Sequence, residues 1–170
     1  MFKIFVKYPS WQEEFEVIRR TTEETEVRTE PVFGASEIRE LQSIVRKVPV
    51  ADPIVHYAMK LVRQTRIDDD DVEPPEFVKR YVSWGAGPRA CQFLILGAKA
   101  KALLSGRFHV AVEDIRAVAH PVLRHRILTN FHAEARSVTP DNIIDQLLEN
   151  TPSEEGAILP DGQLRKILPT

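Results

Sequence analysis

The densest cluster of chemically informative residues is Gly85-Ala86-Gly87-Pro88-Arg89. Glycines before the corner relieve backbone crowding, and Pro88 suits the first turn of a helix. Arg89 then projects from that turn, beside backbone N–H groups that lack intrahelical partners and the positive end of the helix dipole. A helix start favours acids, so a cation there calls for an anion. A phosphate would answer both the guanidinium and the helix end. The competing reading is an exposed arginine paired with a nearby carboxylate.

Other constellations are weaker. In Val122-Leu123-Arg124-His125-Arg126, Arg124 and Arg126 could meet phosphate or a neighbouring subunit. Arginines at a helix end also bond backbone carbonyls or acids. His120 and His125 are five apart with Pro121 between them, so they do not share a helical face. No carboxylate or cysteine lies at ligand spacing, which argues against a metal. Cys91 falls in a first helical turn, where thiolate is favoured, but its neighbours are apolar and read as core. No Gly-x-Ser-x-Gly or Cys–His pattern supports nucleophilic catalysis. Asp68–Asp71 lacks the alternation and glycine of a calcium loop and reads as a solvated acidic loop.

The elements that must carry these residues are mostly helical. Ser10 with Glu13 forms a capping box, followed by Trp11, Phe15, Ile18 and Thr22 on one face. Ser36 opens a second helix with the stripe Ile38, Leu41, Val45 and Val48. Asp52-Pro53 reads as an N-cap and first-turn proline before Ile54, Ala58, Leu61 and Thr65. Glu76–Ser83 forms a short helix. The helix from Pro88 runs to about Ser105, ends at Gly106, and is apolar nearly all round, which places it at the domain centre. Val112–Ala119 and Pro121–Leu128 read as two short helices split by His120-Pro121. Thr139-Pro140-Asp141 starts a last helix with Ile143, Ile144, Leu147 and Leu148 inward, stapled by Val138. Phe2–Tyr8 reads as a strand with little to pair with: Val27–Phe33 is the one candidate, and Pro31 makes that an edge. The tail from Thr151 has no sustained period and is expected to be mobile.

Composition sets the limits. The chain has 170 residues, 23 basic and 25 acidic, for a net charge of −2; 43% are apolar and 28% charged, which is globular. One cysteine excludes an internal disulfide framework. No apolar run reaches the ~18 residues that span a bilayer, and the N-terminus lacks signal-peptide features, so a cytoplasmic setting is expected. Residues 85–136 hold eight basic and three acidic side chains, which makes that stretch the place to look for an anionic ligand. Aromatics do not interleave with Lys and Arg there as a nucleic-acid platform needs.

The stretch WGAGPRACQFLILGAKAKALLSGRFHVAVEDIRAVAHPVLRHRI closely resembles the C-terminal lid of the MoxR group of AAA+ ATPases. That group reads Gly-Ala-Ser-Pro-Arg-Ala, an Ala-rich helix, Gly-Arg, Val-x-x-Glu-Asp and Val-Leu-Arg-His-Arg-Ile. Upstream, YPSWQEEFEVIRR resembles the segment after the last core strand, and YAMKLVRQTR the helix before the acidic loop, so the resemblance covers roughly residues 1–150. Two departures stand out. Gly87 replaces the usual Ser, and Ala111-Val112 replaces Thr-Pro, weakening that helix start.

The resemblance implies an all-α fold: a helical AAA+ lid with a short N-terminal strand left from an α/β core. Residues 1–8 would be the last core strand, 9–66 a helical linker, 67–150 the lid and 151–170 the tail. Arg89, presented by Gly87 and Pro88, would be the sensor-2 arginine that reaches the terminal phosphate of ATP, so that lid angle reports nucleotide state. ATP and magnesium, the ATPase core, a ring of copies (usually a hexamer), a chaperone-like role and von Willebrand factor A-domain partners are implied for the parent protein. The sequence holds no Gly-x-x-x-x-Gly-Lys-Ser/Thr loop, no apolar strand ending in Asp-Glu, and begins just past the expected arginine finger. The chain by itself is therefore expected neither to hydrolyse ATP nor to hold it tightly. Two rivals from other classes are a helical adaptor that docks proteins through an apolar groove, and a helix-turn-helix DNA binder. Near-neutral net charge counts against the second.

Overall fold

The structure is a computed structural model that describes residues 1–22 and 29–152. Helices dominate: α1 (Trp11–Thr22), α2 (Ala35–Lys47), α3 (Asp52–Arg63), α4 (Glu76–Tyr81), α5 (Pro88–Leu104), α6 (Val112–Leu123), α7 (Phe131–Glu134) and α8 (Pro140–Asn150). Two short strands, β1 (Val82–Trp84) and β2 (Leu128–Thr129), pair antiparallel with Val82 opposite Thr129 and Trp84 opposite Leu128. The all-α expectation holds.

Helix starts follow side-chain chemistry. Ser10 N–H and Oγ donate to Glu13 at 2.8 and 2.7 Å ahead of α1. Thr139 N–H and Oγ1 donate to Asn142 Oδ1 at 2.9 and 2.7 Å ahead of α8. These reciprocal bonds satisfy donors that the first turn leaves open. The caps of α2 and α3 fall on Gly34 and Ala51, not Ser36 and Asp52. Glu37 accepts the Gly34 N–H at 2.6 Å, which makes Ser36 unnecessary. At α6 the missing threonine is replaced by Asp114, which accepts the Ala111 N–H at 2.9 Å and takes Arg107 at 2.8 and 2.5 Å. Burial pushes the Asp114 carboxyl up, but the Arg107 guanidinium and the amide outweigh it and hold it below the usual carboxylate range.

The centre is α5, as its apolar sequence predicts. Ala90, Leu94, Ala98 and Ala102 are fully buried against Ile115, Ala119 and Val122 of α6 and Ala58 and Leu61 of α3. Helix α8 closes the other side of α6 with Ile143, Ile144 and Leu147. Gly106 terminates α5 at φ +72°, where only glycine is unstrained, and Arg107 N–H returns to the Ala102 carbonyl at 2.9 Å.

Besides the caps, and the helix expected over Glu76–Ser83, which ends at Tyr81 ahead of β1, three sequence expectations are corrected. Helix α6 runs unbroken through His120-Pro121; Pro121 lies in the last turn, where the helix is ending anyway. Phe2–Tyr8 is not a strand: residues 1–10 form no regular element and have no ladder partner among the described residues. Instead the segment touches the helices. Phe2 lies so close to α5 that a Cβ on Gly97 would sit 2.8 Å from its Cζ, and Lys3 N–H donates to the Pro121 carbonyl at 2.8 Å. Third, the acidic loop is not simply solvated. Asp69 has a side chain 2% exposed, gripped by Arg63 at 2.5 Å and Arg66 at 3.1 Å. The Arg63 hydrogen bonds hold its carboxyl down at about 2, with Arg66 adding to the effect. Residues 29–33 of the Val27–Phe33 candidate form no strand, and Thr151 at the start of the expected mobile tail is fully buried, its Oγ1 donating to Gln64 Oε1 at 2.7 Å; residues 27–28 and the tail from Ser153 lie outside the described residues.

Candidate functional site

The corner that carries Arg89 is built from two sides. Gly87 caps α5 in an extended conformation and Pro88 occupies its first turn. Behind them, Gly85 lies against the end of α3; a Cβ there would sit 2.3 Å from the Thr65 carbonyl oxygen, so no larger residue fits without displacing backbone. Thr65, fully buried, donates to the Val62 carbonyl at 2.6 Å and accepts the Ala86 N–H at 2.8 Å. Arg66 Nε donates to the Ala86 carbonyl at 3.0 Å.

A cleft of about 510 Å³ opens beside this corner. Arg89 lines it with Trp84, His125, Arg126 and Leu128. Arg89 is exposed and makes no hydrogen bond or ion pair among the described residues. The carboxylate-paired alternative for Arg89 is absent there. The wall opposite is mixed. Trp84 is 70% exposed and offers an aromatic face. Burial, then the charges of Arg126, the terminal amine, Lys3 and Arg124, push the His125 imidazole below its usual range. Its Nδ1 is buried without a hydrogen-bond partner among the described residues.

The two weaker arginine candidates separate. Arg126 reaches the cleft, but it also donates to the Val122 carbonyl and, at 3.3 Å, to the Met1 carbonyl. Its guanidinium carbon stacks 5.1 Å from the Phe93 ring centroid. Arg124 turns elsewhere, to Asp141 at 3.1 Å and the Lys3 carbonyl at 3.5 Å. Arg124 therefore bonds an acid and a carbonyl, whereas Arg126 bonds carbonyls alone. Cys91 is partly buried and its thiol is pushed up by burial. His120 bonds Asp145 at 2.9 Å. No cluster of three His, Cys, Asp or Glu that could hold a metal occurs among the described residues.

The structure places Arg89, Gly87 and Pro88 together on the cleft, with Trp84 and His125, which the sequence did not point to, and with Thr65 and Arg66 behind the corner. Gly85 was legible as a relief of crowding. Thr65 and Arg66 carried no signal, because their partner is the backbone of Ala86, twenty-one and twenty positions away.

Residues 76–147 match the family model of the AAA lid domain. Chaperone MoxR1 of Mycobacterium tuberculosis is 33% identical over 153 residues, which cover 88% of this chain and 39% of that one. The chain belongs to the MoxR group of AAA+ ATPases. YeaC of Bacillus subtilis, an uncharacterised protein, is 29% identical over 149 residues, 87% of this chain and 43% of its own length. The crystal structure of a candidate ATPase from Cytophaga hutchinsonii superposes with a TM-score of 0.77 at 30% identity, covering 89% of this chain and 46% of that one. The chain thus spans less than half the length of these relatives. Residues 76–147 of it are the AAA lid domain. No helix among the described residues is long and apolar enough to cross a membrane.

Proposed function

We propose that this lid closes over ATP held by a nucleotide-binding core, with Arg89 in the sensor-2 role at the terminal phosphate. Gly87 and Pro88 present the arginine, and Arg126 stands as an auxiliary cation in the same cleft. The observation that carries this reading is Arg89 itself: an exposed guanidinium without a partner among the described residues, at the start of α5, on a cleft shared with Arg126. The charge of a terminal phosphate complements both the guanidinium and the helix start. The contact exists with ATP and is lost with ADP, so the lid angle reads out nucleotide state. ATP and magnesium are cofactors of the core–lid pair, because positioning and charge neutralisation need groups that this sequence lacks.

The organisation we infer is an N-terminal segment at 1–8, irregular here, that joins the sheet of the core, a helical linker at 9–66, the lid at 67–150 and a tail at 151–170. The parent assembly is a ring of copies, a hexamer by family resemblance. Its role is chaperone-like, with von Willebrand factor A-domain proteins as partners and the cytoplasm as its setting. The test joins this chain to the nucleotide-binding core of a MoxR relative. The fusion should turn over ATP, and Arg89→Ala should abolish turnover while the fold, read by circular dichroism, persists. Wild-type turnover in Arg89→Ala removes the sensor-2 role. By calorimetry the chain alone should bind ATP far more weakly than micromolar.

A further inference from the structure

The corner that aims Arg89 is held by more than its own helix, where the Ala90 N–H donates to the Gly87 carbonyl at 2.9 Å. Gly87 has open space around it, with nothing within 4 Å of a Cβ built there. The tether lies one residue earlier, at Ala86, whose N–H and carbonyl are both bonded to consecutive residues at the end of α3. The Thr65 hydroxyl takes the N–H at 2.8 Å, and Arg66 Nε donates to the carbonyl at 3.0 Å. Gly85 brings the two backbones into contact, leaving no room for slippage. Thr65 is in turn oriented by its bond to Val62, and Arg66 by Asp69, which also takes Arg63. The order of dependence runs from the acidic loop, through Arg66 and Thr65, to Ala86, and so to the first turn of α5.

We propose that Thr65 and Arg66 are positioning residues for Arg89, fixing where α5 begins and therefore where its guanidinium is presented. This rests on the reading of Arg89 as a phosphate contact, and it adds that the end of α3 sets the aim. A buried polar pair of this kind specifies geometry because any displaced arrangement strands the Ala86 amide away from water.

The test compares Thr65→Val, which keeps the shape and removes the hydroxyl, with Thr65→Ser, which keeps the hydroxyl and removes a methyl. Arg66→Met, at a less buried position, serves where the valine variant does not fold. Two readouts are taken on the 170-residue chain. Without any anion, amide exchange at Ala86 and at Ala90, whose N–H donates to the Gly87 carbonyl, should accelerate in Thr65→Val and Arg66→Met and stay near wild type in Thr65→Ser. At low salt, the NMR response of the Arg89 region to inorganic tripolyphosphate should weaken about tenfold in Thr65→Val and Arg66→Met, the size expected for one buried hydrogen bond, and be kept by Thr65→Ser. A merely structural role would follow thermal stability and would not separate valine from serine this way. Wild-type exchange at Ala86 and wild-type tripolyphosphate response in Thr65→Val and Arg66→Met overturn the positioning role. Arg89→Ala with an undiminished tripolyphosphate response instead removes the phosphate reading, while the exchange comparison still decides the tether.

Discussion

Helices α1 and α8 have nearly the same length, 12 and 11 residues, and both start on a hydroxyl cap with a reciprocal partner three residues on. Both show an apolar stripe at helical spacing. Yet α8 buries Ile143, Ile144, Leu147 and Leu148, while α1 buries nothing and leaves Trp11 86% exposed and Phe15 59% exposed. Helix α2 lies between these extremes: none of its residues is buried, Val48 just past its end is, and the Arg46 carbonyl accepts a bond from Lys99 Nζ. The comparison teaches that capping and periodicity build a helix and orient its face, whereas burial depends on what lies opposite. In residues 48–152 the partners are present in the chain; for α1 the described residues supply none.

The sharpest way to break this contrast is truncation of one apolar residue in each helix. Leu147→Ala in α8 should cost roughly 2–5 kcal/mol of unfolding free energy, the range for a large-to-small change in a packed core. Phe15→Ala in α1 should stay within about 0.5 kcal/mol, as exposed substitutions do. Urea denaturation of both variants decides it; equal losses would mean that α1 is packed in solution.

A second contrast sets Gly85 against Gly87, two residues apart on the same corner. An alanine Cβ at 85 meets the Thr65 carbonyl at 2.3 Å, whereas at 87 it meets nothing within 4 Å. Gly85→Ala should therefore destabilise by about 1–3 kcal/mol through forced backbone displacement, and Gly87→Ala by less, chiefly through a poorer N-cap. Thermal melts read both.

The smallest expected effect is acid sensitivity. The folded Asp69 carboxyl is held at about 2 against an ordinary 3.8. A depressed carboxylate adds stability that is complete above about pH 4 and is lost as pH falls toward 2. Asp114, held down by Arg107, contributes with the same sign. Stability measured by urea midpoints should fall across that window, and Asp69→Asn should flatten the fall while lowering stability at neutral pH.

Much of the site was legible because its chemistry is local. Pro88 after Gly87 marks a helix start, and Arg89 one step later is exposed in its first turn. Thr139 and Ser10 declared their helices through caps three residues long. What was not legible is non-local or short. Strands of three and two residues cannot show alternation. Four consecutive aspartates look uniformly solvated, yet Arg63 and Arg66 select Asp69 for burial. Phe2 reads as part of a strand because it is apolar, but the notch that receives it is the missing side chain of Gly97, ninety-five positions on.

The most direct measurement is the ratio of ATP to ADP affinity in the fusion of this lid to a MoxR core, for wild type and Arg89→Ala. A guanidinium that meets the terminal phosphate should give wild type a preference for ATP, with Arg89→Ala losing that preference and leaving ADP binding unchanged. An Arg89→Ala protein that keeps the wild-type ratio would contradict the account.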